Sequence, residues 1–220
     1  ATSWITQVLI FDPATGTQLF ALAGKAVGET TGYNLAAGQV SFSPNGKRLA
    51  VANMDGVPVV WELATQTKVL TLTGYQLTAN AIAYSPDGAL LATGGDEGVV
   101  KVWDAATGQE RFTLDHGGVI HSVAFSPDGT RLASASENGT LKVWDPATGE
   151  ELLDVPGMAG LYDMAFMADS RRLVTAEACT GGWVAKACTD VTGSSRWYRG
   201  GAVSYSDDLK VALLGGRPQT

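Results

Sequence analysis

The segment from His121 to Glu151, HSVAFSPDGTRLASASENGTLKVWDPATGEE, restates a stretch that begins at Asn80, NAIAYSPDGALLATGGDEGVVKVWDAATGQE. Within one copy the elements follow from side-chain chemistry. SVAF is a short apolar strand. Ser-Pro-Asp-Gly then turns the chain, with Pro presetting φ and Gly taking the conformation that other residues resist. RLASAS is a second strand, and Asn138-Gly139 is read as a two-residue hairpin connection. TLKVW forms a third strand, DPATGE turns again, and ELLDV closes the unit. Each copy is predicted to be a four-stranded antiparallel meander.

Extending outward, the aromatic before the first turn recurs at Phe42, Tyr84, Phe125, Phe166 and Tyr205, at intervals of 42, 41, 41 and 39 residues. A second anchor keeps the same beat at Trp61, Trp103 and Trp144, with degraded copies at Phe11 and Thr189. Two anchors agreeing in order and spacing mark an internal repeat. Strands such as VVKVW and VPVVW are apolar on both parities and must be covered on both faces. Forty residues cannot cover themselves, so the units are expected to stack on one another, radially, where the fewest edges stay open.

The AFSPDG turn, the KVWD strand end and the period near 41 residues resemble the WD-repeat family of β-propellers, in the manner of the near-identical repeats of bacterial members. The resemblance is strong from Gln39 to Glu151 and weak outside. It implies an all-β fold, a single β-propeller domain over residues 1–220. Full repeats are expected at about 39–79, 80–119, 120–160 and 161–200, with half-blades at 6–23 and 202–215. That is about five blades' worth of strands: either a five-bladed ring closed by its ends, or a fragment of a larger propeller. The mid-repeat start without Met favours the fragment. The family's hydrogen-bonded His–Ser/Thr–Asp–Trp tetrad carries over best to the third unit, as His116, Ser134 or Ser136, Asn138 and Trp144. The second unit offers Tyr75, Glu97 and Trp103. The first offers Tyr33, Asp55 and Trp61. The fourth has lost both its Trp-Asp pair and its Ser-Pro-Asp-Gly turn.

Composition narrows the function classes. The chain has 220 residues, 45% hydrophobic and 17% charged, which suits a packed globular domain. The net charge is −7 and the basic residues are scattered, so the clustered positive surface that nucleic acid requires is missing. No apolar run approaches the roughly 18 residues of a membrane span. The start, ATSWITQ, lacks the pattern of a signal peptide, and the expected compartment is the cytoplasm. Cys179 and Cys188 are too few for a disulfide scaffold. The meander places them on opposite faces, so two free thiols are expected.

His116 and His121, with Asp115 and Ser122 beside them, lack the arrangement of nucleophile, base and orienting group that catalysis needs. Gly24-Lys25 fails the phosphate-loop pattern, since Leu19 and Ala26 stand where Gly and Ser or Thr are required. The Asp-Gly pairs at Asp87 and Asp128 give one carboxylate per turn, too few to converge on calcium. Asn138-Gly139-Thr140 is a formal glycosylation sequon explained by its turn. No catalytic residue, metal or cofactor is expected.

The remaining signal is an asymmetry between rims. The first and third turns of each unit, SPNG, SPDG, SPDG and LATQ, AATG, PATG, are nearly uniform. The second turns and the links differ in every unit, and divergent loops on a rigid frame are where recognition resides. That variable rim is expected to carry Tyr33, Asn34, Met54, Tyr75, Gln76, Asp96, Glu137, Met158, Trp183, Trp197 and Tyr198 as partner contacts, since aromatics and Met favour hot spots. The expected function is a non-catalytic scaffold that binds a protein or peptide, with self-association if the ring is incomplete. The alternatives are a ligand- or glycan-sensing propeller, or a regulatory part of a larger enzyme such as the protein kinases to which some bacterial relatives are fused.

Overall fold

The computed structural model describes residues 7–23, 37–53, 57–157 and 160–177. Regular structure among them is entirely β, in sixteen strands. A hairpin comes first, β1 (Gln7–Phe11) and β2 (Gln18–Ala23). Blade 1 is β3 (Ala37–Phe42), β4 (Arg48–Asn53), β5 (Val59–Glu62) and β6 (Thr67–Thr71). Blade 2 is β7 (Ala79–Tyr84), β8 (Leu90–Gly95), β9 (Val99–Asp104) and β10 (Glu110–Asp115). Blade 3 is β11 (Ile120–Phe125), β12 (Leu132–Ser136), β13 (Leu141–Trp144) and β14 (Glu151–Val155). A last hairpin, β15 (Leu161–Phe166) and β16 (Leu173–Glu177), follows. Each blade is a consecutive antiparallel meander, as the repeat predicts.

The two-parity apolar strands are buried on both faces. Every residue of β12 is buried, as are five of the six in β8, whereas the fourth strands β10 and β14 alternate toward solvent. The core consists of layers between neighbours. One layer joins Ala50, Ala52, Val60 and Leu72 of blade 1 to Ile82, Tyr84 and Trp103 of blade 2. The next joins Ala92, Val100 and Val102 of blade 2 to Val123, Phe125 and Trp144 of blade 3. Blade 3 meets β15 through Ala133, Val143 and Met164, and the first hairpin meets blade 1 through Val8, Leu22, Leu49 and Val51. Burial of this kind stabilises by roughly 25 cal/mol per Å² of apolar surface, and no blade here obtains it alone.

Two local details differ from the sequence reading. Of the pair Asn138-Gly139, only Gly139 takes a positive φ, at 83°. The Gly139 amide donates to the Ser136 carbonyl at 3.1 Å, so Glu137 and Asn138 form the turn and the glycine follows it as a bulge. Second, the degraded Met-Ala-Asp-Ser turn keeps the geometry of its Ser-Pro-Asp-Gly counterparts. Ser170 sits at φ 56° in the glycine position, and its amide donates to the Met167 carbonyl at 2.9 Å.

The described residues hold three complete blades and two hairpins. The second half of the fourth repeat, the closing half-blade at 202–215 and both cysteines lie outside them.

Candidate functional site: the variable rim

First strands run from the variable rim to the uniform one, so their opening residues surround the mouth of the central axis. Those residues are Asn80, His121 and Tyr162. The His121 and Tyr162 rings stack with centroids 4.8 Å apart and planes 17° from parallel. Tyr162 is 53% exposed, which leaves an aromatic platform open to solvent. Deeper in, Gln39 Nε2 donates to Ser122 Oγ at 3.3 Å, and Ser122 Oγ donates to Asp163 Oδ1 at 3.3 Å. This polar chain ties the first strands of blades 1 and 3 and β15 together beneath the platform.

Around the mouth, the connections are held in fixed shapes. Asn80 Nδ2 donates to Asp96 Oδ1 at 2.8 Å and to the Ile120 carbonyl at 3.2 Å, which locks the blade 2 turn to the start of blade 3. Glu97 Oε1 accepts from the amides of Gln76 and Leu77, the latter at 3.0 Å. The Glu137 amide donates to the Val119 carbonyl at 2.9 Å. Gln76, Leu77, Asp96, Asp115 and Glu137 present exposed side chains. The described part of this rim carries four carboxylates, Asp96, Glu97, Asp115 and Glu137, and no Lys or Arg. Its field therefore favours cationic groups.

The structure sorts the expected contact residues. Gln76, Asp96 and Glu137 lie exposed on this rim. Tyr75 does not: it is buried, its hydroxyl shares a 2.8 Å hydrogen bond with Thr93 Oγ1, and Trp103 Nε1 donates to the same oxygen at 2.8 Å. Burial pushes the Tyr75 phenol well above its ordinary value. Tyr75 is thus a frame residue in the place that His116 takes one blade later. Tyr33, Asn34, Met54, Met158, Trp183, Trp197 and Tyr198 lie outside the described residues, as does Asp55. Three residues that the sequence reading missed, Leu77, His121 as a platform and Tyr162, become visible only once the strand starts are brought together.

The tetrad positions behave unequally. Trp144 Nε1 donates to Ser134 Oγ at 2.9 Å, and His116 Nε2 bonds the Ser134 carbonyl at 3.2 Å. Asn138 Nδ2 reaches the Gly117 carbonyl at 3.4 Å, while Ser136 Oγ donates to Asn138 Oδ1. His116 Nδ1 has no partner, and burial holds the imidazole below its ordinary pKa. The imidazole is buried and bonded to the backbone of β12. Trp61 Nε1 in blade 1 is buried without a partner.

On the opposite rim a groove of about 550 Å³ runs along the seam of blades 1 and 2, past Asn45, Arg48, Glu62, Tyr84 and Ala105. Arg48 is already committed there, to Glu62 at 3.4 Å and to the Ala105 carbonyl at 3.3 Å. Among the described residues, no group of three His, Cys, Asp or Glu is placed to hold a metal ion. No helix among them is long and apolar enough to cross a membrane.

Comparison with known families gives two different results along the chain. The WD domain, G-beta repeat family matches residues 66–104 and 108–145. The CinA C-terminal domain family matches residues 154–220. The chain is 54% identical over 46 residues to the nicotinamide-nucleotide amidohydrolase PncC of Escherichia coli K12, covering 21% of this chain and 28% of that protein. It is 61% identical over 41 residues to a putative competence-damage inducible protein of Symbiobacterium thermophilum, covering 19% of this chain and 10% of the other. A CinA-like protein of Leptospira borgpetersenii is 50% identical over 46 residues, 21% of this chain and 11% of its own. The chain thus spans about a quarter of the first of these relatives and about a tenth of the others.

Proposed function

We propose that the WD repeats at 66–104 and 108–145, with the blades they build, form a non-catalytic docking module. It receives a protein or peptide on the variable rim. The observation that carries this reading is the His121–Tyr162 stack, with Tyr162 exposed, on a rim whose described residues carry four carboxylates and no Lys or Arg. An open aromatic face beside acids favours a partner that offers Arg or Lys, through cation–π contact worth about 0.5–2 kcal/mol and through charge pairing. The test is a peptide array graded from acidic to basic, probed with the purified chain. Basic peptides are expected to bind, and Tyr162→Ala or Glu137→Lys to weaken them at least tenfold. Lys47→Glu, on the uniform rim, is expected to change little. Equal losses from both rims, or a preference for acidic or uncharged peptides, would count against the reading.

The match at 154–220 favours a second reading for the C-terminal part: the repeats are joined to a segment of a CinA-type domain, and serve it as a regulatory or targeting module. PncC is named for hydrolysing a nicotinamide-nucleotide amide, and the chain covers only 28% of it. We therefore infer that these 220 residues do not perform that reaction alone. Incubation with a nicotinamide nucleotide is expected to release no ammonia above blank. Release by the purified chain would overturn the non-catalytic assignment.

A further inference from the structure

Two seams join complete blades, and at the uniform rim they are built differently. Where blade 2 meets blade 3, β11 ends in Phe125, and Leu90 packs against the apolar layer that holds its ring. The buried Pro146 follows the Trp-Asp pair there. Where blade 1 meets blade 2, the repeat puts Tyr84, Arg48 and Ala105 in those three places. A hydroxyl, a guanidinium and a methyl group stand where the other seam has an apolar wall. The groove of about 550 Å³ opens at this seam and is lined by described residues.

Tyr84 is 9% exposed, and its hydroxyl oxygen is buried with no hydrogen-bond partner among the described residues. The strand end is fixed, since the Tyr84 amide donates to Ser41 Oγ of blade 1 at 3.0 Å. A buried hydroxyl without a partner destabilises, and a phenylalanine such as Phe125 avoids that loss. Beside it Arg48 spans the seam on two long bonds, to Glu62 Oε2 at 3.4 Å and to the Ala105 carbonyl at 3.3 Å. Charge-assisted bonds of full strength are roughly 2.7–2.9 Å long, so an incoming anion competes well for the guanidinium. Lys47 lines the same lip of blade 1, and its ammonium has no ion pair among the described residues. Asp87 lines the facing lip, on blade 2. Ser85 Oγ donates to its Oδ1 at 2.6 Å, and chiefly this bond holds the carboxyl below its ordinary pKa.

We propose that this groove binds a small dipolar ligand, one that carries a carboxylate and an ammonium group and lies across the seam. Its carboxylate takes Arg48, Lys47 and the Tyr84 hydroxyl, which gains the partner that the described residues do not supply. Its ammonium takes Asp87 on the opposite lip. The signs of the charges decide the class. A simple anion would meet Asp87 and Glu62, and a simple cation would meet Lys47 and Arg48, each at a like-charge cost. A ligand of both signs pairs with both lips. The groove, about 550 Å³, is within the roughly 300–1,000 Å³ usual for small-molecule sites. It lies on the rim opposite the His121–Tyr162 platform, so it is separate from the docking surface there.

The repeat itself supplies variants that keep the fold. Tyr84→Phe copies Phe125 and Arg48→Leu copies Leu90. Asp87→Asn copies Asn45, which makes the same turn bonds, from Ser43 Oγ at 2.8 Å and the Lys47 amide at 3.0 Å. The test follows the backbone amide NMR signals of Lys47, Arg48, Asp87 and Gly88 in the intact, isotope-labelled chain. The probes are glycine, β-alanine, γ-aminobutyrate and ε-aminohexanoate, which grade the separation of the two charges, with butyrate and butylamine carrying one charge each. At least one of the four is expected to shift those amides saturably at millimolar concentration. Butyrate and butylamine are expected to bind at least about tenfold more weakly than the best of them. Each of the three variants is expected to lose at least about tenfold in affinity, with the near-ultraviolet circular dichroism of the buried tryptophans unchanged. The proposal is overturned if none of the four moves those amides, or if butyrate or butylamine binds as tightly as the best of them. Binding that is unchanged in Tyr84→Phe and Asp87→Asn overturns it as well.

Discussion

Thr93 accepts the indole N–H of Trp103 at 2.8 Å while its hydroxyl also meets Tyr75 at 2.8 Å, all three side chains being buried. One hydroxyl thus satisfies two polar groups that water cannot reach. Thr93→Val keeps the shape and strands both. Each buried unsatisfied group costs about 1–3 kcal/mol, so the variant is expected to lose roughly 2–4 kcal/mol in urea unfolding. Thr93→Ser is expected to lose less than about 1 kcal/mol. Equal losses in the two variants would show that the methyl group, not the hydroxyl, matters.

The same register predicts a stabilising change. Trp103 pairs with Leu91 and Trp144 with Leu132, and the hydroxyl partners lie two residues on, at Thr93 and Ser134. Trp61 pairs with Leu49, which puts Val51 in the hydroxyl position. That accounts for the unpartnered Trp61 Nε1. Val51→Thr is expected to raise stability by about 1 kcal/mol, read from the urea midpoint. A loss of stability would mean that the first tryptophan is not oriented as its two counterparts are.

The repeat was legible because its signals are local. Proline and glycine fix the turns, the tryptophan anchors recur, and strands apolar on both parities demand neighbours. Tyr75 misled because a tyrosine in a link looks like a rim contact. Only the packing shows its ring beneath Lys101, whose ammonium lies 5.7 Å from the ring centre and pairs with Glu110 at 2.8 Å. The platform was hidden for the opposite reason. His121 and Tyr162 are forty-one residues apart, and nothing in either neighbourhood announces their stacking. The Met-Ala-Asp-Ser segment hid its turn because Ser170 replaces the glycine, although Asp169 still accepts from the amide of Arg171 at 3.0 Å. The residues that match the CinA family carry only the degraded anchors Phe166, Thr189 and Tyr205, and a reading built on periodicity runs through them.

Acid should weaken the fold first through His116. Its folded pKa lies below the ordinary value of 6.5 because burial disfavours the cation. The unfolded chain therefore binds the extra proton more readily, and stability is full above about 6.5. It declines as pH falls below that value, until the folded imidazole also titrates. Asp104 and Asp128, each held down to about 2, one chiefly by Arg111 and the other by Ser126, act only in far stronger acid. Urea midpoints are expected to drop from pH 7.5 to pH 5.5 in the parent chain and to drop less in His116→Gln. An unchanged slope in the variant would assign the titration elsewhere.

The rim's geometry depends on Gly95. A β-carbon there would lie 1.9 Å from the Thr78 carbonyl oxygen and 2.9 Å from Ala79 Cα, both backbone atoms of the link that carries Gln76 and Leu77. The Asp96 amide donates to that same carbonyl at 3.0 Å, so the clash falls on the contact that seats the link. Gly46, at φ 68° with open space around it, isolates the cost of backbone conformation alone, about 1 kcal/mol for alanine. Gly95→Ala is expected to exceed it, at about 1–3 kcal/mol from overpacking. It is also expected to speed hydrogen exchange in residues 73–78 before the rest of blade 2. If peptide binding depends on the rim, Gly95→Ala weakens it and Gly46→Ala does not. Exchange that rises evenly across the blade would place the damage in the core instead.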